Sequence, residues 1–318
     1  MKKNNIFSTL IKATGFVACG MYLFNKIIDY ISTSNNTLAS TENENFYMSK
    51  HGKIFYSKNG QGSPILLIHD LTHFSCNKEW DKIISHLSQN HTVYALDLLG
   101  CGRSDKPAIT YTNYMFVQII TDFINDVINK KTDIIMSGDS SPISITTSIN
   151  NSKVINKIIL INPPSVSNSE IVPNNNTRMA KKILEFPLVG TFIYNLINTK
   201  DKCFDISINE LFTKDDYTSY TYSHTMYDAS HYGNIGSKYM MASLVGLFTN
   251  LSIRRPLISL SNEILIIGGE NEPHIEEIIS SYRAVRPNII STIISNSKHY
   301  PQLENPKDLL SSISKFID

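Results

Sequence analysis

The strongest constraint on this chain is a rhythm. Short runs rich in branched and apolar residues alternate with longer stretches of helical periodicity from about residue 46 onward. The expected strands are Phe46 to Ser49, Lys53 to Ser57, Pro64 to His69, Thr92 to Asp97, Asp133 to Ser137, Val154 to Asn162, Ile264 to Gly268 and Asn288 to Ile294. Between them, Lys78 to Gln89 sets Trp80, Ile83, Ile84 and Leu87 on one helical face, and Tyr114 to Asn129 carries a similar stripe. Pro273 to Arg283 and Pro306 to Ile317 each begin with the proline that suits a first helical turn. Two leading antiparallel strands followed by β-α alternation predict an α/β fold, a mostly parallel eight-stranded sheet covered by helices on both faces.

The alternation stops at Ser167 and resumes only after Asn262. Met179 to Leu196 and Gly236 to Asn250 read as helices, so a helical cap over 167–262 is expected to interrupt a core made of residues 46–166 and 263–318. Insertions at this place sit over the carboxyl ends of the strands, where open α/β sheets bind ligands. The cap aromatics, Tyr194, Tyr222 and Tyr227 among them, are expected to form lid core or to line an apolar cavity.

The amino terminus is different. From Ile6 to Ile31 the chain is mainly apolar, with Lys2 and Lys3 ahead of it and Lys12, Asn25, Lys26 and Asp29 interrupting it. Residues 1–31 are therefore expected to be an uncleaved single-pass membrane anchor, 32–45 a polar linker, and the leading lysines favour a catalytic domain outside. A signal peptide cleaved near Thr37-Leu38-Ala39 has poor spacing, and a lipoprotein reading at Cys19 fails because the apolar run continues past it. The alternative is an amphipathic helix lying on a membrane or on the domain.

Charge excludes one class of partner. With 29 Lys and Arg against 28 Asp and Glu, no basic field is available for nucleic acid. Cys19, Cys76, Cys101 and Cys203 are scattered without a C-x-x-C pair, which indicates neither a zinc knuckle nor a disulfide framework.

At Gly138-Asp139-Ser140-Ser141-Pro142 an apolar strand ends and a helix can begin at once, the setting of a nucleophile elbow. Ser140 would stand at the tip of that turn, with the Ser141 N-H free to receive an oxyanion. An ordinary turn with Ser140 and Ser141 as helix caps fits the same residues. A serine nucleophile needs a base and a group to hold the base, and both occur downstream in the order this architecture expects. His299 lies just beyond the last strand, and Glu272 follows the seventh.

Other stretches carry a resemblance. Asp97-Leu98-Leu99-Gly100-Cys101-Gly102-Arg103-Ser104-Asp105-Lys106-Pro107 matches a D-x-x-G-x-G-x-S-D-x-P loop. His69 ends the third strand, Gly269 to Pro273 is similar to G-E-x-D-P, and His299, Pro301, Glu304 and Pro306 match H-x-P-x-x-E-x-P. On these motifs, over most of Phe46 to Asp318, the chain resembles the α/β-hydrolase superfamily with a helical cap.

The resemblance implies a serine hydrolase acting on an ester, thioester or related acyl bond of a small, apolar substrate, without a cofactor. Ser140, His299 and Glu272 would form its triad, and the Leu71 and Ser141 N-H groups its oxyanion hole. The chain departs from the pattern in three places. Asp70 replaces the glycine after the histidine and sets a carboxylate beside the oxyanion hole, where it opposes developing negative charge. Pro142 stands where a small residue is usual, and the acid is Glu rather than Asp. An Asp139 nucleophile would need the elbow shifted by one residue. The rival function is a catalytically impaired protein that binds an apolar ligand or a partner through its cap.

Overall fold

The computed structural model describes residues 2–34, 36–39, 45–151, 154–233 and 236–317. Eight strands form one sheet: β1 Asn45–Ser49, β2 Gly52–Asn59, β3 Ser63–Ile68, β4 His91–Leu96, β5 Thr132–Ser137, β6 Ile155–Ile161, β7 Ile264–Gly269 and β8 Ile290–Ile294. Their spatial order is β1-β2-β4-β3-β5-β6-β7-β8. The β1/β2 and β2/β4 pairs are antiparallel and every later pair is parallel. The expected mostly parallel sheet is therefore present.

The helices are α1 Lys2–Ser34, α2 Asp81–Leu87, α3 Asn113–Phe123, α4 Ser141–Asn150, α5 Val166–Ser169, α6 Asn175–Glu185, α7 Val189–Ile197, α8 Lys200–Ile206, α9 Tyr217–His231, α10 Ser237–Val245, α11 Arg254–Ser259, α12 Ile275–Val285, α13 Pro301–Glu304 and α14 Pro306–Ile317. Helices α5 to α11 all lie between β6 and β7, where the β-α alternation stops in the sequence. The stretch expected as one helix over Met179 to Leu196 is two, because Pro187 breaks it and Leu188 turns to a φ of +63°.

Alternation within each strand divides the core in two. Leu66, Ile68, Ile134, Met136, Ile158 and Leu160 pack on one face of the sheet, and Ile65, Leu67, Ile135, Ile159 and Ile161 on the other. The register pairs Ile68 with Leu96 on one side and Met136 on the other, so the carboxyl ends of β3, β4 and β5 finish level. The loops that follow them converge for that reason.

The amino terminus corrects an expectation. Among the described residues no helix is long and apolar enough to cross a membrane, which overturns the single-pass anchor expected over residues 1–31 and the outside placement that depended on it. Lys12, Lys26 and Asp29 interrupt the apolar run, and the carboxyl-terminal part of α1 has protein partners instead. The Asn25 amide donates to the Leu188 carbonyl at 3.2 Å, the Asn195 amide donates to Asn25 Oδ1 at 3.0 Å, and Phe24 meets the Phe192 ring edge-on at 5.2 Å. The expected linker is also docked in part. α1 runs on to Ser34, Asn36 and Thr37 bond to Asp228 in α9, and Leu38 is fully buried. Residues 35 and 40–44 of that stretch lie outside the described residues.

Asn25→Ala removes both amide contacts and strands the Asn195 amide, so it should lower stability by about 1–3 kcal/mol. A urea melt should show a reduced midpoint with unchanged slope. An unchanged midpoint would mean that α1 is not docked on α7.

Candidate active site

Five loops at the carboxyl ends of the parallel strands bring the candidate groups together. The one after β3 is held hardest. Leu98 N-H donates to His69 Nε2 at 2.9 Å, which leaves Nδ1 to donate to the Asp70 carbonyl at 2.7 Å. Burial pushes the His69 pKa down, so the ring is neutral and serves as a strut. The Asp70 N-H donates to Glu79 Oε2 at 3.0 Å, and Glu79 Oε1 accepts from the Gln302 amide at 2.7 Å. Burial and then the Asp70 charge raise Glu79 to about 8, so it carries a proton at neutral pH.

After β5 the chain makes a tight turn. Within it Gly138 has the positive φ, +53°, and Gly138–Ser140 close a 3-10 turn that leads into α4. The turn is an elbow, yet Gly138 holds its apex and Ser140 does not. The Ser140 hydroxyl is buried and donates to the Ser137 carbonyl at 2.7 Å. The Ser141 N-H donates to the Gly138 carbonyl within the same turn, so it does not face an oxyanion. The N-H groups that do converge are those of Leu71 and Asp139. Both donate at 2.7 Å to one acceptor, Asp70 Oδ1.

A Cβ placed on Gly138 would lie 2.0 Å from Asp70 Oδ1 and 2.3 Å from its Cγ. The Asp70 carboxylate thus occupies the space into which an apex side chain would project, and it takes both converging N-H groups as well. Its second oxygen, Oδ2, lies 3.3 Å from His299 Nε2, while His299 Nδ1 lies 3.0 Å from Glu272 Oε1. The structure therefore brings together Asp70, His299, Glu272 and the Leu71 N-H of the expected set. Ser140 is not among the partners of His299.

His299 and Glu272 are positioned by Asn162, which no sequence motif singled out, and by Glu304 of the H-x-P-x-x-E-x-P stretch. Asn162, turned to a φ of +43° after β6, donates its amide to the carbonyls of Lys298 and His299 at 2.7 and 2.9 Å. Its Oδ1 accepts from the Gly269 N-H at 2.9 Å, which ties the acid loop to the histidine loop. Glu304 accepts from the N-H groups of Lys298 and Thr213 and so fixes the histidine loop to the helical insertion. Glu270 turns away, accepting from the Asn296 N-H at 2.9 Å. An asparagine directly after a strand was the available signal for Asn162, because asparagine tolerates left-handed backbone better than most residues.

Burial pushes the His299 pKa down. The hydrogen bonds and charges of Asp70 and Glu272 outweigh that and hold it well above the ordinary histidine value. The resting centre is a carboxylate-imidazolium-carboxylate row. A cavity of about 310 Å³ opens beside it, bordered by Leu71 and Asp139 and walled by Pro142, Leu244, Leu247 and Leu251. A larger one of about 420 Å³ lies against Phe55, Asn77 and Arg103 and includes none of the residues in that row. Arg103 and the Asn77 N-H serve Asp97, so the D-x-x-G-x-G loop is scaffold. Among the described residues no three His, Cys, Asp or Glu side chains are grouped to hold a metal ion.

Comparisons with known proteins agree with the architecture. A profile of the alpha/beta hydrolase family matches residues 65–312. A 2-hydroxy-6-oxo-6-(2'-aminophenyl)hexa-2,4-dienoic acid hydrolase of Metapseudomonas resinovorans is 28% identical over 33% of this chain and 37% of its own length. A cis-3-alkyl-4-alkyloxetan-2-one decarboxylase of Shewanella oneidensis is 30% identical over 28% of each. The chain thus spans only about a third of the length of these curated relatives. The solved structure of a serine hydrolase involved in carbazole degradation superposes with a TM-score of 0.67 at 18% identity, covering 87% of this chain and 99% of that one.

Protonated His299 should stabilise the fold fully below the unfolded imidazole value of about 6.5, and this contribution should fade as pH rises through the higher folded value. Asp70→Asn removes one of the two charges responsible. The His299 ring signals in an NMR titration should then move at lower pH than in the parent chain. Titration at the same pH in both proteins would show that Asp70 does not hold the imidazolium. Ser140→Ala should cost only about 1 kcal/mol, the worth of one hydroxyl-carbonyl bond, measured by urea melt.

Proposed function

The chain belongs to the alpha/beta hydrolase family, and on that premise we propose that it is a hydrolase centred on Asp70, His299 and Glu272 rather than on a Ser140 triad. One observation carries this reading: a carboxylate holds the oxyanion hole with one oxygen and faces the histidine with the other. A triad through Ser140 would require its hydroxyl to leave the Ser137 carbonyl and Asp70 to vacate the hole. An acyl substrate has no place for its carbonyl oxygen until that happens.

A carboxylate so held suits alkyl transfer. Asp70 Oδ2 attacks an electrophilic saturated carbon, a C-O bond forms, and the leaving group departs with its electron pair. The product is a neutral ester on Asp70. Esterification removes one of the two negative partners of His299, so the imidazole pKa falls, its proton passes to solvent, and a base appears when one is needed. His299, oriented by Glu272, takes a proton from water, and the hydroxide attacks Asp70 Cγ. The negative charge that develops on Oδ1 is already met by the Leu71 and Asp139 N-H groups. Collapse breaks the Cγ-Oδ2 bond, the alkoxide is protonated, and the carboxylate is restored. One water is consumed, and an alcohol, the leaving group and a proton are released.

The decarboxylase among the relatives, named for an oxetanone, shows that reactions beyond simple ester hydrolysis occur among proteins similar to this one. A second reading, ligand binding without turnover beneath the helical cap, draws on the same ion-paired row, which in its resting state holds the base protonated.

The chain should hydrolyse an alkyl halide such as n-hexyl bromide and resist fluorophosphonate labelling. Asp70→Asn should abolish turnover, and His299→Gln should stall at a hexyl ester on Asp70, visible by mass spectrometry of the peptide. In water labelled with heavy oxygen, the first turnover should place the label on Asp70 and ordinary oxygen in the alcohol. Labelling of Ser140 by fluorophosphonate would establish the serine triad instead. No turnover and no adduct across halides, epoxides and esters would leave the binding reading.

A further inference from the structure

The cavity beside the reaction centre has a one-sided charge. Asp139 is the ionisable side chain among the residues that line it, and the remaining wall is apolar or carries neutral amide and hydroxyl groups. The Asp139 N-H is spent on Asp70, but its carboxylate has no hydrogen bond or ion pair among the described residues. This is unlike Asp70 and Glu79, each of whose carboxyl oxygens has a partner, and unlike Glu272, whose Oε1 faces His299. Leu71, Pro142, Leu244, Leu247 and Leu251 supply the apolar surface around it.

Three titratable groups face Asp139 from the packed elements. Asp70 repels its charge, the His299 imidazolium opposes that repulsion, and the buried Tyr282 phenol is neutral. Enclosure in the cavity wall, and then Asp70, raise the Asp139 pKa to about 6. Its side chain still meets solvent at the cavity mouth, so the Asp70 repulsion is the firmer of the two causes. Above pH 6 the cavity therefore presents a carboxylate with no cation of its own. Among the described residues the positive group close behind it is His299, which is enclosed by two carboxylates.

We propose that this cavity recognises an apolar molecule bearing a protonated amine, with the ammonium group on Asp139 and the hydrocarbon against the leucine and proline wall. This deepens the hydrolase reading by naming the class of molecule admitted to the site. Recognition needs only Asp139 and the wall. An alkylammonium gains an ion pair at the cavity mouth, an alcohol of the same chain gains the apolar contact alone, and a carboxylate meets repulsion. The volume, about 310 Å³, is at the small end of ligand sites and suits a chain of medium length.

The test is calorimetric titration of the full chain at pH 7.5 or so with n-octylamine, n-octanol and octanoate, which share one hydrocarbon chain. Octylammonium should bind about tenfold more tightly than octanol, and octanoate more weakly than either. Asp139→Asn, checked for folding by circular dichroism, should erase the amine's advantage and leave octanol binding unchanged. Lowering the pH through about 6 should erase it in the parent chain too, because Asp139 takes up a proton while the amine stays charged. Leu244→Trp, which fills the wall, should weaken all three. His299→Gln, which stops turnover in the hydrolase reading, should bind octylammonium no more weakly, so failed chemistry and failed recognition are told apart. Equal or tighter binding of octanoate, selectivity that survives Asp139→Asn, or no binding of any of the three would each overturn the proposal.

Discussion

The Asp70 carboxylate is the point on which the candidate site depends. The Leu71 and Asp139 N-H dipoles aim at one place, and a negative oxygen is already there. That single occupancy explains three features that otherwise look unrelated. The elbow apex is glycine because any side chain would collide with the carboxylate. The imidazole stays charged because the second carboxylate oxygen faces it. Glu79, behind the Asp70 N-H, is pushed toward its neutral form first by burial and further by the Asp70 charge.

The rest of the molecule works to hold that carboxylate. His69 as a neutral strut, Glu79 with Gln302, and the level ends of β3, β4 and β5 fix the Asp70 turn from below. Asn162 and Glu304 fix the histidine from the other side, one through the acid loop and one through the helical insertion. Groups fixed from two independent directions lose little entropy when they react, which is what separates a reaction centre from a chance cluster of charges.

Much of this was legible in the sequence, and the failures have definite causes. The strands emerged within two or three residues of their expected limits, because buried parallel strands need near-continuous branched apolar runs such as Ile65 to Ile68. The meeting of Glu272 with His299 followed from their positions just beyond strand ends, whereas the Leu71 N-H was named from the family resemblance. The G-x-S string misplaced the elbow because it marks residue types without fixing the backbone. Only the φ of Gly138 reveals which residue is at the apex, and that apex is two places before Ser140. The amino-terminal helix failed for another reason: hydropathy reports how apolar a segment is and says nothing of what covers it, and here α7 and α9 cover part of it.

Asp70 was legible as a residue and misjudged as an interaction. Beside an oxyanion hole a carboxylate looks like a defect if the charge to be stabilised belongs to a substrate carbonyl. It becomes a component once the charge to be stabilised is its own. The same two N-H groups that disfavour an incoming carbonyl oxygen, because their acceptor is already present, hold that acceptor in a single orientation. They leave its partner oxygen directed at the imidazole. With glycine at the apex no side chain competes with the carboxylate for that space. In the reading proposed above, the bare apex and the Asp70 nucleophile are thus one arrangement, because a side chain at residue 138 and the Asp70 carboxylate cannot share the same volume.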